Sequence, residues 1–171
     1  LGVALDEPPP GWHVANPEAA KPVAAALLAG EPVRLEVEAG EAGWLKHLPF
    51  ADEAEPAVRV TDHQVMAEEA ELLLNPPVLA LGVGCDRGCP PEDLAALVRD
   101  TLEAEALAPG AIACVASIDL KMDEPAVHAL AASLGVPARF FTATELNALA
   151  PRLKTPSEVV LKETGCPGVS E

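Results

Sequence analysis

The chain has 171 residues, half of them hydrophobic, with 11 Lys and Arg against 27 Asp and Glu for a formal charge of −16. So few cations argue against a nucleic-acid partner, because counterion release from a phosphate backbone needs clustered Lys and Arg. No apolar run approaches the ~20 residues that span a bilayer, and the opening LGVALDEPPPG lacks the charged start and apolar centre of a signal peptide, so a soluble, cytoplasmic protein with no membrane partner is expected.

The length suits one domain or two small ones. DEPPPGWHV is loop chemistry with nothing before it to connect, which predicts the tail of a preceding unit and hence a fragmentary first part. NPEAAKPVAAALLAGEP then predicts a helix with Asn16 as N-cap, Pro17 at the first helical position, Glu18 in the first turn and Gly30 as the stop. Period-two patterning follows: VRLEVEA places Val33, Leu35 and Val37 on one face, and AVRVTD places Val58 and Val60 on one, both as half-buried strands. EAELLL (69–74) reads equally as a strand or as the end of a helix. The rigid connector Asn75-Pro76-Pro77 marks a boundary between a small α+β segment, residues 1–75, and an α/β domain, residues 76–171.

Beyond the connector, strand and helix alternate. VLALGVG (78–84) is an apolar strand, and residues 91–107 form a helix with Leu94, Leu97, Val98, Thr101 and Leu102 on one face. AIACVASI (111–118) is a second buried strand. A helix from Glu124 carries Val127, Leu130, Ala131 and Leu134 and stops at Gly135, and ARFFTA (138–143) is a third strand. TATEL and TPSEVVLKET each open a helix by a capping box, which accounts for Thr142 with Glu145 and Thr155 with Glu158. Such alternation predicts a mainly parallel sheet flanked by helices, with ligands bound beyond the carboxyl ends of its strands.

Residues 79–94, LALGVGCDRGCPPEDL, lead from the first of these strands into a helix. Gly84 and Gly88 permit positive φ or close backbone approach, and Pro90-Pro91 sets the helix start, so backbone amides and the helix dipole face the crevice. Arg87 can fork onto a carboxylate or phosphate. The spacing misses the dinucleotide fingerprint and no Gly-Lys-Ser/Thr follows, which argues against a phosphate cradle. A plain tight turn with a solvated Arg87 explains the same residues equally well.

The second strand ends in SIDLKMDE, where alternation puts Ser117, Asp119 and Lys121 on one side. Asp119 and Lys121 form either an ion pair or part of a site, and Asp123 reads as an N-cap. Residues 1–75 hold 4 basic and 14 acidic side chains and residues 76–171 hold 7 and 13, so an anionic ligand belongs in the second half. Cys85, Cys89, Cys114 and Cys166 are expected as reduced thiols, since C-x-x-x-C has no second ligand pair for zinc and no metal site is predicted. Cys85 beside a helix start is a candidate nucleophile, but no histidine is spaced to activate it: His13, His47 and His63 lie in first-half loops and His128 within a helix.

GVGCDRGC, ASIDLKMDEPAVHALAASLGVPARFFTATEL and TPSEVVLKETGCPGVSE together resemble the C-terminal domain of the CbiG/CobE family, the cobalt-precorrin-5A hydrolases of cobalamin biosynthesis, over residues 77–171. Residues 1–75, LLAGEPVRLE especially, resemble the end of that family's N-terminal domain followed by its small middle domain. The resemblance implies a hydrolase that opens a δ-lactone on a cobalt-corrinoid with water and releases acetaldehyde. Cobalt then arrives inside the substrate and no further cofactor is required. It also implies that Gly82, Gly84, Cys85, Arg87, Gly88, Ser117 and Ser157 face the substrate's carboxylate arms or lactone oxygen, that Asp119 orients or deprotonates water, and that Lys121 balances charge. Two other roles fit the same resemblance: a non-catalytic carrier of an unstable corrinoid, and a domain that docks to other enzymes of the pathway, its methyltransferases, through the acidic first half.

Overall fold

A computed structural model describes residue 5 and residues 7–170. Residues 1–4, which entered the signal-peptide expectation, lie outside the described residues, as do Asp6 and Glu171. The chain divides into two compact units, Leu1–Leu79 with Leu102–Ala111, and Ala80–Thr101 with Ile112–Glu171. No helix among the described residues is long and apolar enough to cross a membrane.

The first unit contains strand β1 (His13–Val14), helix α1 (Ala20–Leu28) and strands β2 (Arg34–Val37), β3 (Ala57–Val60) and β4 (Glu71–Asn75). They form one sheet in the order β1-β4-β3-β2, with β2, β3 and β4 parallel and the two-residue β1 antiparallel to β4. The undecided 69–74 segment is therefore a strand. Leu72, Leu73 and Leu74 are all buried because β4 lies inside the sheet, where side chains on both faces leave water. Val23 of α1 packs with Val33, Leu45, Val58, Val60, Leu72 and Leu74, each without solvent exposure, and each such side chain contributes about 1.5–3 kcal/mol of transfer free energy.

Asn16 departs from expectation. Its side chain makes no cap bond; Nδ2 donates to the Glu71 carbonyl at 2.8 Å, and Oδ1 accepts from Leu73 N–H at 2.8 Å. The amide thus extends the β1–β4 ladder past Ala15, whose N–H bonds Leu73 O. A 3₁₀ turn over Pro17–Ala19 leads into α1 instead, and Gly30 follows its end at φ +78° as expected.

The second sheet, which from Ala80 onward belongs to the second unit, is built on strands β5 (Leu79–Gly82), β6 (Ile112–Ile118) and β7 (Ala138–Phe141), in that order, as a parallel sheet flanked by helices. Helix α2 (Pro91–Ala104) follows β5, α3 (Pro125–Leu134) follows β6, and α4 (Ala143–Asn147) and α5 (Glu158–Thr164) follow β7. In α2 the buried stripe is narrower than predicted: Leu94, Val98 and Leu102 are buried, while Leu97 is 61% exposed and Thr101 bonds the Leu97 carbonyl at the surface. Val127, Leu130 and Ala131 of α3 are buried, and Gly135 ends it in the left-handed conformation at φ +68°. Thr142 and Glu145 form the predicted capping box. For α5 the cap falls on Ser157, two residues after the expected Thr155, with Ser157 Oγ accepting from Val160 N–H.

Candidate functional site

In the second unit, the carboxyl ends of β5 and β6 open onto a cavity of about 500 Å³. Gly84, Cys85 and Asp86 line it from the loop after β5, Ile118 and Lys121 from the end of β6, and Thr155, Ser157, Glu163 and residues 167–170 from α5 and its flanks. A second cavity of about 450 Å³ shares Gly84, Cys85 and Asp86 and adds Arg87, Gly88, Cys89, Asp93 and Leu97. The glycine loop therefore forms a wall common to both. The backbone N–H groups of Gly84, Cys85 and Asp86 make no hydrogen bond among the described residues. Unpaired consecutive amides of this kind favour an acceptor oxygen, and a carboxylate most of all.

The other loop donors are already taken. Arg87 Nη1 donates to both carboxylate oxygens of Asp123, at 2.9 and 3.0 Å, and its Nη2 to the Leu120 carbonyl at 2.8 Å. Those hydrogen bonds hold the Asp123 carboxyl below the usual carboxylate range. Gly88 N–H donates to Glu124 Oε2 at 3.1 Å. Asp123 is thus not the N-cap of α3; Glu124 holds that position without a side-chain cap bond, and its carboxylate turns to the glycine loop instead. Glu124 is 2% exposed, and its Oε1 is buried without a hydrogen-bond partner among the described residues.

The remaining expected site residues separate into those at the cavity and those spent on structure. Gly82 lies at the end of β5 against the Ser170 backbone, and a Cβ there would sit 2.8 Å from Ser170 O, so its missing side chain serves packing. Ser117 is 1% exposed and donates to the Val83 carbonyl at 2.8 Å, tying β6 to the segment after β5. Lys121 reaches the large cavity, whereas Asp119, at the start of a 3₁₀ turn, is not among its lining residues, and no ion pair joins the two among the described residues. Ser157 lines the cavity while also capping α5. Sequence reasoning missed Asp86, Glu124 and Glu163. Asp86 stood unassigned between recognised loop positions, and the contact of Glu124 with Gly88 spans 36 residues, beyond any local pattern.

All four cysteines are free thiols. Burial pushes the Cys85 thiol above its ordinary range, Cys89 and Glu124 add to that shift, and Lys121 opposes it. A helix start alone would have lowered it, so desolvation and neighbouring acids dominate. His128 binds the Met122 carbonyl through Nε2 at 2.7 Å and rests against Phe140, remote from a nucleophile's role.

A family model described as cobalamin synthesis G C-terminus matches residues 79–171, and one described as cobalamin biosynthesis central region matches residues 9–76. A Sinorhizobium protein named CobE is 46% identical over 93 residues, covering 54% of this chain and 60% of that protein. A cobalt-precorrin-5A hydrolase of Priestia megaterium is 29% identical over 181 residues, covering 94% of this chain and 48% of the relative. The crystal structure of CobE, a protein from the cobalamin biosynthetic pathway, matches 53% of this chain and 64% of its own with a TM-score of 0.51 at 42% identity. The chain spans about half the length of the longer of these curated relatives and 60% of the other.

Proposed function

Since the chain belongs to the cobalamin synthesis G C-terminus family, we propose that it acts in cobalamin biosynthesis as a cobalt-precorrin-5A hydrolase, opening the δ-lactone of that cobalt-corrinoid with water and releasing acetaldehyde. The observation that carries this is the cavity at the strand ends, where the unpaired amides of Gly84, Cys85 and Asp86 share about 500 Å³ with the Lys121 ammonium. A corrinoid at this stage bears acetate and propionate arms, which suit amide donors and isolated cations better than a phosphate cradle does.

Lactone opening places negative charge on the carbonyl oxygen as water adds. Lys121 and the loop amides are the donors available to hold it, and a well-placed donor of that kind lowers the barrier by about 3 kcal/mol. A carboxylate must take the proton from water, and Asp86 and Glu163 are the acids that line the cavity. Asp119, which does not line the cavity, is the other candidate for that role. The ring-opened hydroxyl then loses its proton as the carbon–carbon bond breaks, its electrons remaining on the macrocycle and the two-carbon fragment leaving as acetaldehyde.

The test is to incubate the chain with cobalt-precorrin-5A and measure acetaldehyde alongside the corrinoid spectrum. Stoichiometric acetaldehyde is expected, with turnover falling by about 10²-fold or more in Lys121→Ala and Asp86→Asn and little changed in Asp119→Asn. Loss in Asp119→Asn alone would return the proton-accepting role to that residue. A spectral change without acetaldehyde would overturn the hydrolase assignment in favour of a carrier.

A further inference from the structure

Two of the contacts that hold the glycine loop, both to carboxylates, differ in burial. Glu124 is 2% exposed and grips the Gly88 amide from inside the fold. The Arg87–Asp123 pair stands in solvent, with side chains 62% and 73% exposed. An exposed ion pair is screened and weak, whereas a buried carboxylate on a backbone amide gives way only with the loop itself. Arg87 can therefore be released while the loop stays in place.

Arg87 is also the cation of the second cavity's lining among the described residues, set beside Asp86 and Asp93. Besides the loop amides of Gly84, Cys85 and Asp86, a carboxylate entering that space has one charged partner there among the described residues, and it already holds a carboxylate. One guanidinium nitrogen takes both Asp123 oxygens, at 2.9 and 3.0 Å, while the other is fixed on Leu120 O, so a ligand carboxylate that displaced Asp123 would meet a charge-assisted donor already held in position.

We propose that Asp123 is a built-in competitor: it occupies Arg87 Nη1 and yields it to a carboxylate arm of the ligand, so that binding exchanges one carboxylate for another. This rests on the corrinoid assignment above and deepens it by naming the polycarboxylate form as the one selected. The exchange breaks no covalent bond and moves no proton. Its consequence is counterintuitive: deleting an ion pair at the site tightens binding.

The probe is dicyanocobyrinic acid, a corrinoid whose peripheral arms are free carboxylates, compared with its methyl ester, in which the same arms are uncharged. Binding is followed by absorbance titration to the full chain. Asp123→Ala is expected to lower Kd for the acid by about threefold or more. Arg87→Ala should raise it by about tenfold, and the gain from Asp123→Ala should vanish in the double variant. The ester should show none of these differences. Because Asp123 is exposed, its removal leaves the fold intact, which circular dichroism checks. An Asp123→Ala variant that binds the acid no better than wild type, while wild type binds it, overturns the exchange and leaves the corrinoid assignment standing. Failure of wild type and Asp123→Ala alike to bind the acid overturns the assignment, and the exchange falls with it.

Discussion

Three glycines of the loop region, alike in sequence, should respond to alanine in three different ways. At Gly82 a Cβ would lie 2.8 Å from the Ser170 carbonyl oxygen and 2.9 Å from its carbon, backbone atoms with no side-chain freedom to retreat. Overpacking of that kind costs about 1–3 kcal/mol, from which about 0.5–1 kcal/mol is recovered because alanine loses less entropy than glycine in a strand. A net loss of up to about 2.5 kcal/mol follows, or up to about 10 °C in Tm for a chain of this size, towards the upper end because the clash is with backbone. At Gly84 a Cβ meets nothing within 4 Å and φ is not positive, so Gly84→Ala should stay within about 0.5 kcal/mol of wild type. At Gly88 the space is also open, but φ is +73°, and alanine in the left-handed region costs about 1–2 kcal/mol. Urea unfolding followed by circular dichroism reads all three on one scale. A Gly84→Ala variant as unstable as Gly82→Ala, or a Gly82→Ala variant as stable as wild type, would refute the packing assignment and return Gly82 to the ligand.

Ser117→Ala removes the bond from a buried hydroxyl to the Val83 carbonyl, and leaving that acceptor unsatisfied should cost about 1–3 kcal/mol in the same assay, without altering corrinoid affinity. For Cys85, the rate of alkylation by iodoacetamide should rise with a midpoint above the ordinary thiol range, since burial and neighbouring acids oppose the thiolate. Glu124→Gln removes one of those negative charges and should lower the midpoint without restoring it fully, burial being the larger cause; an unchanged midpoint would show that Glu124 does not act on the thiol.

Much of the fold was legible because it follows from local periodicity. The apolar stripe of α3, its stop at Gly135, the capping box at Thr142 and the strand at Ala57–Val60 each depend on residues within a turn or two of one another. The failures share a cause. Local pattern places Asn16 at the nearest helix, whereas its amide is spent on β4, 55 and 57 residues away. Its place just before Glu124-Pro125 marks Asp123 as a cap, while its carboxylate belongs to Arg87.

By itself, then, the amino-acid order determined that this is a chain of alternating strands and helices with an anion-suited loop after the first strand of its second half, and its rare motifs pointed to cobalamin biosynthesis. Only the tertiary structure decided which loop donors remain available: the amides of Gly84, Cys85 and Asp86 are unpaired among the described residues, while Gly88 and Arg87 are held by Glu124 and Asp123. The reason is physical. Secondary structure and capping are set by neighbours along the chain, but whether a donor is free depends on what folding brings against it, and those acceptors arrive from 36 residues away.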